Sequence, residues 1–239
     1  MIKILTIFML SFFAYQPQVM ADDLADISIY TEDYPPYNYR GKNGHIQGIA
    51  VKLLIDIHQH ANVDFDKDRI KLRPWNKAYH TLIENPNTLL FSMTRTPERE
   101  ELFKWVGPIS DTKIVLLAKK SSGIKITQTS EISNYIIGGI RDDIGLSLVT
   151  NLVVNKGQIN EFSPATAIAK MLNLGRIDLW AYEENVALGF LQSLNLNPSE
   201  FETVYTLSTS QLYYAFNINT EQVTIDRLQQ KLDAFRLAQ

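Results

Sequence analysis

The chain has 239 residues, with 23 Lys and Arg against 26 Asp and Glu and a net charge of −3. A mildly acidic balance without a basic run argues against nucleic acid as a partner. The absence of cysteine excludes thiolate and disulfide chemistry and leaves core packing as the source of stability.

The N-terminus predicts export. Lys3 precedes the apolar run Ile4 to Phe13, Gln16-Pro17-Gln18 breaks it, and Val19-Met20-Ala21 offers small or modest residues at the cleavage positions. Residues 1–21 therefore read as a secretory signal peptide, with a mature periplasmic chain beginning at Asp22. The apolar run is about half of the roughly 20 residues a membrane span requires. An uncleaved anchor is the alternative. Removing the segment takes away Lys3 alone, so the net charge moves to −4. No later stretch is long and apolar enough to span a bilayer.

Beyond Asp22 short strands alternate with helices. Ile27 to Tyr30 reads as a strand entering the aromatic turn Tyr34-Pro35-Pro36-Tyr37, and Gly41 and Gly44 suit a hairpin loop. From Gly48, the residues Ile49, Leu53, Leu54, Ile57 and Ala61 recur at helical spacing. Ile70 to Leu72 is a short strand, Trp75 to Ile83 a helix stopped by Asn85-Pro86-Asn87, and Leu89 to Phe91 a buried strand. Thr96 and Pro97 suit the N-cap and first turn of another helix. Ile114 to Ala118 is a continuous apolar strand, and the polar stretch Lys119 to Gly123 after it is a candidate boundary.

A second alternating set follows. Tyr135 to Ile137 is a strand, a helix starts near Asp143, and Ser163-Pro164 opens a helix carrying Ile168, Met171 and Leu172 that Gly175 closes. Ile177 to Ala181 and Leu212 to Phe216 are strands, and Thr220 caps a final helix with Val223, Leu228, Leu232 and Phe235. Strands alternating with helices predict an α/β protein with mainly parallel sheets.

The stretch Ser92-Met93-Thr94-Arg95-Thr96-Pro97-Glu98-Arg99-Glu100 carries the most chemistry. A cation at Arg99, in the first helical turn, is disfavoured by the helix dipole by up to about 1 kcal/mol. Free N–H groups, a hydroxyl and one or two guanidinium groups make a carboxylate trap. Local chemistry leaves open the alternative that Glu98, Glu100 or Glu101 neutralises these arginines on a solvated face. Enzyme signatures are weak: no Gly-x-Ser-x-Gly elbow, P-loop or Rossmann fingerprint is present. Glu32 and Asp33 could serve as acid and base. His58 and His60 stand two apart on a helix, which denies them a shared metal and predicts a solvated face; His45 and His80 complete the histidines. No catalytic residue, metal or cofactor is expected.

These segments resemble the family 3 extracellular solute-binding proteins, the amino-acid-binding components of ABC transporters. The likeness runs from about Ile27 to the C-terminus. It rests on the Tyr34 to Tyr37 turn, Gly48-Ile49-Ala50-Val51, Ser92-Met93-Thr94 with Thr96-Pro97-Glu98-Arg99, Phe103 to Pro108, and Gly175-Arg176-Ile177-Asp178. The resemblance implies a two-lobed periplasmic-binding-protein fold of type II, the second lobe inserted into the first and joined to it by two hinge strands. The expected division is 22–117 plus 212–239 for lobe 1 and 118–211 for lobe 2.

It also implies a site. Arg99 would hold the ligand's α-carboxylate with Ser92 and Thr94, Tyr34 and Tyr37 would stack on the ligand, and Glu183 would receive its amino group, while Asp178 is structural. Trp75 is a cleft wall or plain core, and Trp105 and Trp180 are core. The chain departs from the family at Lys52, where an acidic residue is usual, at Arg95, a second cation, and at Arg141-Asp142-Asp143, where Gly followed by Thr or Ser is usual. Arg141 would offset the two carboxylates there, and Asp142 or Asp143 would cap a helix. The expected ligand is a small carboxylate or amino-acid-like molecule, the expected partner an inner-membrane permease, and the expected state a monomer. A ligand sensor, or a dehydratase-like enzyme on the same fold, is the alternative.

Overall fold

The computed structural model describes residues 22–152 and 156–239, so the expected signal peptide lies outside the described residues. In chain order the first region contains β1 (Ser28–Thr31), the hairpin β2 (Tyr39–Arg40) and β3 (Ile46–Gln47), α1 (Ile49–His60), β4 (Lys71–Leu72), α2 (Trp75–Glu84), β5 (Thr88–Thr94) and the single turn α3 (Pro97–Glu100). A long strand, β6 (Phe103–Lys119), leads to β7 (Ile137–Ile140), α4 (Ile144–Leu152), β8 (Ile159–Phe162), α5 (Ala165–Asn173), β9 (Leu179–Glu183) and α6 (Glu184–Ser193). A second long strand, β10 (Phe201–Asn217), returns to the closing helix α7 (Gln222–Leu237).

The sheet order is β4-β1-β5-β10-β6-β9-β7-β8. β1 pairs parallel with β4 and β5 at one end, and β7 pairs parallel with β8 and β9 at the other. The parallel strands are covered by helices, which is why β5 is buried at all seven positions, with Leu89 to Phe91 as its continuous apolar centre. Between the two parallel sets runs the antiparallel ribbon of β6 and β10, registered from Phe103 opposite Asn217 to Lys119 opposite Phe201. Thr94 to Leu89 of β5 pair with the Leu212–Phe216 end of β10, whereas β9 pairs with Ile114–Leu117 of β6. The fold is thus two-lobed, with the second lobe inserted into the first and both hung on two shared strands.

Local chemistry sets the lead-in to the first lobe. Gly48 has φ 130, and a Cβ there would stand 2.4 Å from the Tyr37 carbonyl oxygen, so only glycine lets the chain turn from the hairpin into α1 against the aromatic turn. Behind the sheet, Leu24, Ile29, Leu54, Phe91, Tyr214 and Phe216 form a closed apolar core. Asp178 accepts the backbone N–H of Ile136 at 2.8 Å, tying the start of β7 to β9.

Several expectations shift. β6 and β10 are each 17 residues long, far beyond the apolar runs that announce them. Pro164 is itself the N-cap of α5, so Ser163 does not cap it. Thr220 does not cap α7 either: Glu221 holds that position, and the Thr220 hydroxyl is buried without a hydrogen-bond partner. His58 is fully buried rather than solvated, because its Nδ1 lies 2.7 Å from the Leu54 carbonyl and its ring packs 4.7 Å from Phe65.

Candidate functional site

The site gathers where the C-terminal ends of β1 and β5 face the start of α4 and the end of β9. Strands that end side by side, with their following turns opposed across a cleft, are where α/β folds collect ligand-binding groups. The aromatic turn after β1 places Tyr34 and Tyr37, both buried. β5 delivers Ser92 and Thr94, and Ser92 holds a positive φ of 62 while its hydroxyl donates to Asn38 Oδ1.

Among the described residues Arg99 is the one cation buried at this junction, at 6 % exposure. Its Nη1 donates to the Thr94 carbonyl at 3.2 Å and its Nη2 to the Asp142 carbonyl at 3.2 Å, so the side chain spans the two lobes. The guanidinium also lies over two rings, 5.6 Å from the centre of Trp75 and 5.3 Å from that of Tyr79. The field of Arg99 favours ionised Asp143, yet among the described residues no carboxylate forms an ion pair with it.

The second lobe answers with carboxylates. Glu183 ends β9 and caps α6, accepting from the Val186 N–H at 2.7 Å, and it also takes the Tyr37 hydroxyl at 3.3 Å and the Asn185 amide at 3.3 Å. Asp143 accepts from the Gly145 N–H at 2.9 Å at the head of α4, which is the capping role expected of it. Burial raises both acids above their ordinary values despite these hydrogen bonds. Glu32, from the first lobe, is raised well above its ordinary value by burial, with Asp143 and Asp33 adding repulsion. Burial, then Glu183, pushes the Tyr37 phenol up to about 12.

Rings close the junction. Tyr34 meets Tyr182 edge-on at 5.6 Å, and Tyr182 stacks on Trp180 at 5.3 Å with 13° between planes. The Nε1 atoms of Trp75 and Trp180 and the hydroxyl of Tyr182 are buried without hydrogen-bond partners. Two cavities flank the cluster. One of about 310 Å³ includes Glu32, Pro74, Ile140, Pro164 and Phe190, and one of about 280 Å³ includes Tyr79, Arg99, Asp142 and Ser147.

Of the expected residues, Tyr34, Tyr37, Trp75, Ser92, Thr94, Arg99, Asp143 and Glu183 are all buried around this junction. Arg95 and Arg141 are engaged elsewhere. Arg95 pairs with Glu100, its Nε 2.7 Å from Oε2, and lies over Trp105 and Tyr213. Arg141 is largely exposed and pairs with Glu161 at 2.7 Å. Tyr79 and Tyr182 escaped the sequence reading. Tyr79 stands four residues after Trp75 on one helical face, a spacing that would have revealed it; nothing in the strand pattern marks Tyr182.

Among the described residues no group of three or more His, Asp or Glu is placed to hold a metal ion. Among them, too, no helix is long and apolar enough to cross a membrane.

The profile of the bacterial extracellular solute-binding proteins, family 3, matches residues 27–234. The chain belongs to this family. No curated protein sequence matches it. Among solved structures it is similar to a histidine kinase sensor domain resembling periplasmic binding proteins, with TM-score 0.77, 15 % identity and coverage of 91 % of this chain and 93 % of that one. It is also similar to the arginine-, lysine-, histidine-binding protein ArtJ from Geobacillus stearothermophilus, with TM-score 0.70, 19 % identity and coverage of 89 % and 90 %. A Gly52Ala mutant of arginine-bound ArgBP from T. maritima gives TM-score 0.71 at 19 % identity, with 86 % and 94 % covered. These likenesses concern the fold; the family places the chain among extracellular solute-binding proteins.

Proposed function

We propose that the chain is a periplasmic solute-binding protein that closes its lobes on a small amino-acid-like carboxylate and delivers it, as a monomer, to an ABC permease without chemical change. One observation carries the reading: a buried guanidinium at the lobe junction has aromatic faces and backbone carbonyls for company, but no carboxylate among the described residues is paired with it. A buried charge without a counterion is costly, and an incoming carboxylate supplies the bidentate partner that Arg99 lacks. Because Arg99 reaches from Thr94 to Asp142, ligand bound there favours the closed arrangement, which is a population shift. We place the lobe crossing near Asp111 on β6 and Thr209 on β10, opposite ends of which pair with different lobes. The export reading of residues 1–21 is consistent with this role. A sensory role is the second reading, favoured by the likeness to a kinase sensor domain.

The test is a thermal-shift screen of the purified protein against the twenty amino acids, with Arg99→Ala alongside. Ligand at about 100 times its dissociation constant adds roughly 2.7 kcal/mol to the native state. A shift lost in Arg99→Ala is the expected result. A shift that survives the substitution overturns the site, and silence across the panel overturns the binding of amino acids.

A further inference from the structure

Ser92 is the irregular residue of β5. Its φ of 62 is left-handed, a conformation that residues other than glycine adopt at a cost. The ladder is interrupted at the same place: β10 pairs Tyr213 with Met93 and Tyr214 with Phe91, so Ser92 is passed over. A residue left out of an antiparallel ladder is a β-bulge, and bulges beside binding sites re-aim the chain. Such a backbone persists only where its surroundings hold it.

Asn38 does the holding. It is fully buried, its Oδ1 accepts from the Ser92 hydroxyl, and its Nδ2 donates to the Glu32 carbonyl at 2.8 Å. The second bond fixes the first, because a carbonyl can only accept: the amide nitrogen faces Glu32, the amide oxygen faces Ser92, and the serine must donate. The backbone of Asn38 closes the aromatic turn on its own, exchanging hydrogen bonds with Tyr34 at 3.1 and 2.6 Å. Its side chain is therefore not required for the turn. What the side chain adds is a tie from the end of β1 to the bulge of β5. Two residues beyond that bulge the Thr94 carbonyl accepts from Arg99 Nη1 at 3.2 Å, so the path of β5 at Ser92 sets where the guanidinium is held.

Resting on the reading of Arg99 as the carboxylate-binding group, we propose that Asn38 is a positioning residue. Its amide keeps Ser92 in the left-handed bulge and so places the Arg99 contact, without touching ligand itself. Glycine adopts a positive φ unaided, so the amide is needed only while residue 92 carries a side chain.

The experiment compares Asn38→Ala, Ser92→Ala, Ser92→Gly and the double variant Asn38→Ala/Ser92→Gly with the parent. Melting curves are recorded first, and each folded protein is then titrated with each of the twenty amino acids. Asn38→Ala is expected to weaken binding at least about tenfold in the parent, and that loss shrinks to under about threefold in the Ser92→Gly background. Ser92→Gly should also bind more tightly and melt higher than Ser92→Ala, although glycine ordinarily weakens a strand relative to alanine. A purely structural role for Asn38, or a ligand contact made by the Ser92 hydroxyl, gives no such rescue by glycine. Equal losses from Asn38→Ala in both backgrounds overturn the positioning role and leave amino-acid capture standing. Silence from all twenty amino acids overturns the amino-acid reading, and the melting order of the two Ser92 variants then decides the bulge by itself: Ser92→Ala melting higher overturns it, and Ser92→Gly melting higher supports it.

Discussion

Two buried clusters within one molecule follow opposite rules. Behind the first lobe's sheet, Leu24, Ile29, Leu54, Phe91 and Phe216 pack as an apolar core, and its tyrosine is provided for: the Tyr214 hydroxyl donates to the Ala50 carbonyl at 2.8 Å. At the lobe junction, aromatic rings surround Glu32, Asp143, Glu183 and Arg99, and Trp75, Trp180 and Tyr182 keep buried polar atoms without partners. A folded chain normally satisfies such groups, because each one left open costs about 1–3 kcal/mol. The first cluster's phenol is satisfied by folding alone, whereas the second keeps buried polar groups that, on the proposed reading, a ligand would partner.

The sharpest way to break this contrast is to damage the first cluster and ask whether binding notices. Phe91 is fully buried on β5 and packs 5.8 Å from Tyr214. Phe91→Ala should cost about 3–5 kcal/mol through lost burial and a residual cavity. The loss should be the same with and without ligand, as read by denaturant melts at saturating and zero ligand. A ligand-dependent loss would mean that the two clusters are coupled after all.

A subtler difference is in pH. Glu32, Asp143 and Glu183 all have folded-state values raised above the ordinary 4.5 or 3.8, with burial as the leading cause. The stability each contributes is therefore complete below its unfolded value and is lost as pH rises through the raised folded value. Asp22 and Glu184, held low by partners, act in the opposite sense, losing stability as pH falls. The clean measurement is the difference in melting temperature between Glu32→Gln and the parent without ligand. It should grow in favour of the variant as pH increases from about 4 towards 8, since glutamine remains neutral while Glu32 must ionise in an apolar site. A constant difference would mean that Glu32 is solvated.

How far the sequence reached follows the same division. Helical spacing in α1 and α2 and the buried run of β5 are legible because burial repeats with the backbone's own period. β6 and β10 read as fragments because their middles, where they cross between lobes, are only partly buried and interrupted by Gly107-Pro108 on one strand and by polar residues on the other. α6 went unnoticed because it begins directly after β9, with Glu183 serving as strand end and helix cap at once. In the site, Arg99 and Glu183 are legible through the family's pattern, and both are buried at the junction. Arg95 pairs with Glu100, one of the acids the sequence offers as its neutraliser, whereas the partner of Arg141 is visible only in three dimensions: Glu161 lies on β8, which no sequence signal announces. Glu32 could be named as an acid near the turn, but its burial beside Asp143 is a tertiary fact.

The smallest expected effect tests whether unpaired groups at the junction are reserved for ligand or merely tolerated. Tyr182 is buried, stacks on Trp180 and leaves its hydroxyl without a partner. Tyr182→Phe keeps the ring, its stacking and its edge contact with Tyr34, and removes only the oxygen. If that oxygen is desolvated for nothing in the free protein, the variant should gain up to about 1 kcal/mol, or about 2–4 °C in melting temperature for a chain of this size. The same substitution should then weaken ligand binding if the closed, ligand-bound cleft gives the hydroxyl its partner. Higher stability with weaker binding marks a group held for function at the expense of the fold. Higher stability with unchanged binding would move Tyr182 to the first cluster, as plain core that happens to face the cleft.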